Sequence, residues 1–249
     1  MSIVLKSSAD LERMRHAGRI AALVLRTLRD AAKPGVTTGA LDDLASAIIL
    51  REGAEPAFRG YRGFPATICT SVNHEVLHGI PGRRVLHDGD VLKIDVGVRW
   101  RGFHADAAIT VIVGRASPLA SRLVSVTEEA FWAGYAAARA GNRLGDIGAA
   151  IEEVVRRNGF AVIEGYSGHG VGRDLHEEPS VPNMGIAGRG LVLRAGMTLA
   201  IEPMVSAGDG RTRIKRDGWT VVTEDGSLAA HYEHTVWISP DGPVVLTQV

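Results

Sequence analysis

Near the start of the chain, apolar residues recur at helical spacing. Leu11, Met14, Gly18, Ala21, Leu25 and Leu28 follow one another at alternating steps of three and four, and Pro34-Gly35 ends the pattern. Two and a half heptads suit a core-packed helix better than a coiled coil. A second helix is predicted over Leu41 to Arg51, with Thr37 or Thr38 as its cap. From Ala66 the period changes to that of strands. ATICTSV (66–72), VLKIDVGV (91–98) and FHADAAITVIV (103–113) are rich in β-branched residues. Helices return at about Leu119 to Ala140 and Asp146 to Asn158, with Gly141 and Gly159 as stops. Strands follow at FAVI (160–163), MTLAIEPMV (197–205), GWTVV (218–222) and LAAHYEHTVWI (228–238), and Glu224-Asp225-Gly226-Ser227 has the Asp-Gly signature of a hairpin turn. This order predicts an α+β fold, with two similar halves around one antiparallel sheet, in a single domain over 1–249.

Composition narrows the function. Lys plus Arg and Asp plus Glu both number 28, so net charge is zero, which argues against a strongly basic DNA- or RNA-binding protein. The single cysteine, Cys69, leaves no internal disulfide, Cys-rich zinc finger or Cys-ligated iron–sulfur cluster. No apolar run approaches the ~18 residues of a membrane span, and MSIVLKSSADLERM has no signal-peptide core. A cytoplasmic protein with no membrane association is expected.

The chemistry lies in acids that interrupt apolar strands. Asp95 sits inside VLKIDVGV and Asp106 inside FHADAAI. With Trp100-Arg101 as a two-residue loop, the two would face each other directly, where like charges repel. Glu202 in LAIEPMV and Glu233 in AHYEHTV repeat the anomaly. His169, between Gly168 and Gly170, supplies an uncrowded imidazole. Four carboxylates and one histidine carry a formal charge of −4, which balances two divalent cations. An oxygen-rich set favours Mn²⁺, Fe²⁺ or Co²⁺, and a two-metal centre performs hydrolysis. Separate salt bridges would explain one such acid, not four. His78 in VLHGIPG and His176 in DLHEEP are either hydrogen-bonding or proton-shuttling groups or plain loop histidines. Histidines 16, 74, 87, 104, 231 and 234 receive no role. His74-Glu75-Val76-Leu77-His78 spells H-E-x-x-H, but a strand before it and Gly79, Pro81 and Gly82 after it exclude the helix that motif requires. No phosphate-binding glycine motif and no G-x-S-x-G elbow are present.

Taken in order, GYRGFPATICTSVNHEVLHGIPG, LHDGDVLKIDVGV, GFHADAA, GHGVGRDLHEEP, LAIEPM and DGWTVVTEDGSLAAHYEHT resemble the type I methionine aminopeptidases of the pita-bread metallopeptidase family, in their short bacterial form. The likeness runs from about Leu11 to Ile238. It implies the pita-bread fold, with a pseudo-twofold central sheet and helices on its outer face. It implies two divalent ions (Co, Mn, Fe or Zn). Asp95 would chelate one ion, Asp106 and Glu233 would bridge both, and His169 and Glu202 would hold the other. Glu202 would also act as general base, while His78 and His176 would contact the scissile peptide. Tyr61, Phe64, Cys69 and Trp219, with Phe58 and Leu175 adjoining, would line a methionine pocket. The implied substrate is the N-terminal methionine of nascent polypeptides with a small second residue. Transient ribosome contact and a monomeric state are implied with it. Ala107, Gly97, Phe58 and Leu175 depart from the family's usual residues. The resemblance implies a polar contact to a metal ligand at 107, which alanine would lose. Two alternatives remain: an Xaa-Pro peptidase, and a catalytically silent binding protein on the same fold.

Overall fold

The computed structural model describes residues 3–248. Among these, four helices form where their caps dictate. α1 (Ser8–Ala31) starts at a reciprocal cap: the Ser7 hydroxyl accepts from the Asp10 amide, and the Asp10 carboxylate accepts from the Ser7 amide. α2 (Thr38–Arg51) starts three residues earlier than its apolar pattern, because the Thr37 hydroxyl accepts from the Ala40 amide. α3 (Pro118–Ala137) is capped by Ser117 and carries proline at its first position, where no donor is missed. α4 (Leu144–Arg157) begins before Asp146, which caps it from within by accepting from the Arg143 amide at 2.7 Å.

The strands before α3 are β1 (Glu55–Pro56), β2 (Cys69–Val72), β3 (Glu75–Leu77), β4 (Val91–Trp100) and β5 (Phe103–Ile112). After α4 come β6 (Ala161–Val162), β7 (Ser167–Gly170), β8 (Glu177–Pro182), β9 (Thr198–Ile201) and β10 (Met204–Ser206). β11 (Thr212–Ile214), β12 (Val221–Thr223), β13 (Ala229–His231), β14 (Glu233–Ser239) and β15 (Gly242–Val245) complete the set. The central sheet runs β1-β4-β5-β14-β9-β7-β8, with β2 beside β4 and β15 beside β14, and its pairings are antiparallel. Two small sheets, β13-β10-β6 and β11-β12-β3, flank it.

Strand alternation divides the layers. On β4, Ile94, Val96 and Val98 join a core built with Leu25 and Leu28 of α1 and Leu41 and Ile49 of α2. A second core joins Phe131 of α3 and Ile147, Ile151 and Val155 of α4 to Leu199, Ile201 and Val236 of β9 and β14. Each helix pair thus closes its own half, as the element order implies. The other face of the sheet, bearing Asp95 and its neighbours, is left for chemistry. Among the described residues no helix is long and apolar enough to cross a membrane.

Four expectations need correction. Arg101-Gly102, not Trp100-Arg101, forms the β4–β5 loop; both residues have positive φ (47° and 80°), as a two-residue hairpin turn requires. Asp95 therefore pairs with Ala108 and Asp106 with Gly97, so the two acids lie diagonally on one face rather than opposite. The predicted strands 197–205 and 228–238 each break, at Glu202-Pro203 and at Tyr232, where the chain passes between the central sheet and a small one. Proline has no amide to continue a ladder, and the Tyr232 amide donates to the Pro203 carbonyl instead. The turn at 224–227 joins β12 to β13, which belong to different sheets, so it makes no hairpin. Finally, the strand expected from residue 66 begins at Cys69, because the Asp42 carboxylate of α2 takes the amides of Thr67 and Ile68 at 2.8 and 2.9 Å.

Candidate metal centre

The register of the central sheet assembles the acids in two adjacent rows. Asp95, Ala108 and Glu233 form one row across β4, β5 and β14. One further step of that register brings Glu202, just past the end of β9, beside Glu233. The next row on the same face holds Gly97, Asp106, Thr235, Ala200 and His169. Thr235 is locked to Asp106: its hydroxyl accepts from the Asp106 amide and donates to the Asp106 carbonyl, both at 2.9 Å. Small residues at 97, 108 and 200 leave room above the sheet for the acids and the imidazole.

The electrostatics of this face are those of a cation site. Burial raises all four carboxyls, and mutual repulsion adds to the rise at Asp95, Glu202 and Glu233. Asp106 is pushed up to about 7. Among the described residues no lysine or arginine pairs with any of them, and histidines lie within 4.0 Å of Asp106, Glu202 and Glu233. Asp95 Oδ1, Asp106 Oδ1 and Glu233 Oε1 are buried without a hydrogen-bond partner. Separate salt bridges are thus absent, and orphaned oxygens of this kind fit divalent cations.

His169 is oriented as a ligand would be. Its Nδ1 lies 2.8 Å from the Gly170 carbonyl, which assigns the proton to that nitrogen. Its Nε2 lone pair then faces Glu202 Oε1 at 3.5 Å and Asp106 Oδ2 at 3.8 Å. Burial pulls its pKa down to about 4, so it is neutral. The flanking glycines are required by close backbone approach: a Cβ at Gly168 would stand 2.2 Å from the Ala200 carbonyl oxygen, and one at Gly170 2.2 Å from that of Glu178. The donor atoms of Asp106, His169 and Glu233 lie close enough to hold one ion, as do those of Glu202, His231 and Glu233.

All thirteen residues singled out in the sequence line one cavity: Asp95, Asp106, His169, Glu202 and Glu233 with His78, His176, Phe58, Tyr61, Phe64, Cys69, Leu175 and Trp219. Arg62 and Leu77 line it as well. His176 stacks on Tyr61 (5.2 Å between ring centres) and abuts His169 (4.1 Å). His78 has φ +55° and packs edge-on to Trp219, which in turn meets Phe64. Trp219 is presented by a tight turn in which Asp217 Oδ1 accepts from the amides of Trp219 and Thr220. Burial keeps both imidazoles neutral, with His78 pulled down to about 4 and His176 to about 3. The Cys69 thiol is raised by burial and then by Asp95, so it stays protonated. The segment between His74 and His78 forms strand β3, so no helix carries that pair, as expected, although a strand there was not predicted.

The departures from the family pattern are resolved by position. Ala107 turns its methyl into the helix-side core with Val96 and Val98, away from the acids, so no ligand contact is lost there. Phe58 lies over Gly97: a Cβ at 97 would stand 2.5 Å from Phe58 Cε1. His231, given no role from the sequence, is fully buried with Nε2 3.5 Å from Glu202 Oε2. The sequence carried no usable signal for it, because the chain changes sheet at Tyr232, between His231 and Glu233.

Comparison with known proteins agrees with this geometry. Residues 12–240 match the model of metallopeptidase family M24. A methionine aminopeptidase of Clostridium perfringens is 50% identical over 247 residues, covering 99% of each chain. The crystal structure of a methionine aminopeptidase from Thermotoga maritima superposes with TM-score 0.98 at 45% identity, covering 100% of both chains. A prolidase from Pyrococcus furiosus shares the fold alone, with TM-score 0.81 at 21% identity over 99% of this chain and 66% of that one. With the pita-bread architecture, the acid-lined cavity and full-length identity in agreement, the chain belongs to metallopeptidase family M24, among its methionine aminopeptidases.

Proposed function

We propose that the chain, working as one catalytic domain, removes the N-terminal methionine from peptides and nascent proteins whose second residue is small. The observation that carries this reading is a single cavity with five buried metal-type donors on one wall and an aromatic pocket on the other. Asp95, Asp106, His169, Glu202 and Glu233 would hold two divalent ions. Such ions would supply an activated water and polarise a carbonyl. Glu202 accepts the proton of the attacking water. His176, neutral and stacked between Tyr61 and His169, donates to the carbonyl oxygen as charge develops on it. His78 sits beside the leaving nitrogen. Tyr61, Phe64 and Trp219 bracket the thioether, which packs well on aromatic faces, with Cys69, Phe58 and Leu175 closing the wall. The donor set suits Mn²⁺, Fe²⁺, Co²⁺ or Zn²⁺. A nascent-chain substrate suits a cytoplasmic protein in transient contact with ribosomes, and the resemblance implies a monomer. An Xaa-Pro specificity has only the shared fold behind it, and a silent binding protein would have no use for an intact donor set.

The test is methionine release from Met-Ala-Ser by metal-free protein after Mn²⁺, Fe²⁺ or Co²⁺ is added back, with Ala-Pro-Ser as counter-substrate. Release from Met-Ala-Ser alone, reduced at least about 10²-fold in Glu202→Ala, is expected for loss of a general base. Cleavage of Ala-Pro-Ser instead would overturn the reading.

A further inference from the structure

His231 ends β13, and its backbone is fixed on both sides by one residue. Its amide donates to Thr110 Oγ1 at 2.9 Å, and its carbonyl accepts from the same hydroxyl at 2.7 Å. The backbone that carries the imidazole is therefore fixed. His231 is 1% exposed, and neither ring nitrogen has a hydrogen-bond partner. The nearest acceptor is Glu202 Oε2, 3.5 Å from Nε2; Glu233 Oε2 follows at 4.0 Å.

Glu202 is thus bracketed by two imidazoles, one at each oxygen. His169 Nε2 lies 3.5 Å from Oε1, but its proton is committed at Nδ1 to the Gly170 carbonyl, so it offers Glu202 a lone pair. Both His231 ring nitrogens lack a hydrogen-bond partner, but the nearest carboxylate oxygens lie off Nε2, so the tautomer with the proton on Nε2 brings an N–H closest to an acceptor. The two rings approach the same carboxylate with opposite polarity. The Glu202 main chain is held as well, because its carbonyl accepts from Asn183 Nδ2 at 3.0 Å.

We propose that His231 is a positioning residue: its Nε2–H donates to Glu202 Oε2 and so turns Oε1 toward His169, the side on which an ion would be held. This deepens the reading above and rests on it. His231 itself touches neither substrate nor the reacting atoms. A carboxylate left to rotate loses both its ligand geometry and its aim as a base, and removing such a partner costs about 10–100-fold in metal affinity or activity.

The experiment compares wild type, His231→Leu, which keeps bulk without a donor, and His231→Gln, which keeps a donor. His231→Ala replaces the leucine variant if that fails to fold. Mn²⁺ affinity of the metal-free proteins is read by calorimetry, and kcat and KM for Met-Ala-Ser are read separately. The expected result is a loss of about tenfold or more in Mn²⁺ affinity and a lower kcat at unchanged KM for leucine. Glutamine restores both to within a few-fold. Leucine indistinguishable from wild type overturns the proposal, and so does glutamine failing as badly as leucine, since the donor would then not be what matters. A wild type that binds no Mn²⁺ overturns this proposal and the functional reading together. A wild type that binds, with a leucine variant that binds equally, overturns this one alone.

Discussion

Phe58 and Gly97 form a matched pair in the cavity wall. The Phe58 ring occupies the space a side chain at 97 would need, with the nearest contact at 2.5 Å. Gly97→Thr is expected to push the ring into the cavity, to cost about 1–3 kcal/mol of stability through overpacking, and to raise KM for Met-Ala-Ser several-fold with a smaller change in kcat. Adding Phe58→Cys should restore KM; steady-state kinetics of the single and double variants check this. Asp106 carries a second prediction. Pushed up to about 7 by burial, it keeps its proton at pH 6.5 in the metal-free protein. Asp95, Glu202 and Glu233 are raised as well, so ion binding must expel the protons these buried carboxyls hold, and Mn²⁺ affinity rises with pH. His78, His169 and His176, held at about 4, 4 and 3, are already neutral there and add nothing. Calorimetry at pH 6.5 in two buffers of different ionisation heat should show net proton release, and none would contradict the assignment. The four acids of the candidate site were legible in the sequence because acids inside apolar strands are conspicuous, and His169 because glycines flank it. His231 was not, because histidine is unremarkable in a strand and only the fold shows what its ring faces.

Among the elements, threonines stitch β5 to its neighbours at the site. Thr235 of β14 binds both backbone groups of Asp106, and Thr110 of β5 does the same for His231. Thr235→Val keeps the shape but leaves two buried backbone groups unpaired, at about 1–3 kcal/mol each. The thermal midpoint should fall by about 2–4 °C per kcal/mol, with weaker Mn²⁺ binding as Asp106 is released. An unchanged midpoint would contradict the clamp. Element types were legible from periodicity, while several boundaries were not. The reasons are local and polar. Asp42 removes Thr67 and Ile68 from a ladder. Arg101-Gly102 adopts the left-handed turn and resets the register. Pro203 sends the chain into a second sheet. Because the register changed by an even step, Asp95 and Asp106 kept the same face, and the metal reading survived an incorrect pairing.

Over the whole molecule, two helix-backed cores hold one sheet while its other face concentrates carboxyls that must either stay protonated or be met by cations. Carboxyls that resist ionising when buried together are a liability to the metal-free fold and an asset once ions are bound. Binding to the folded chain alone stabilises it, by about 2.7 kcal/mol at a hundredfold excess over Kd. The global pairing of halves was legible in the element order. The curl that brings Glu202 and Glu233 to the corners between sheets was not, because it depends on contacts far apart in the chain. The central claim is that ions held by Asp95, Asp106, His169, Glu202 and Glu233 make this chain a methionine-releasing enzyme. The most direct measurement titrates metal-free protein with Mn²⁺ and follows heat and methionine release from Met-Ala-Ser on the same sample. The account predicts no release before Mn²⁺, binding that saturates near two ions per chain, and release that rises with occupancy. Full release in excess chelator, or saturation with ions and no release, would contradict it.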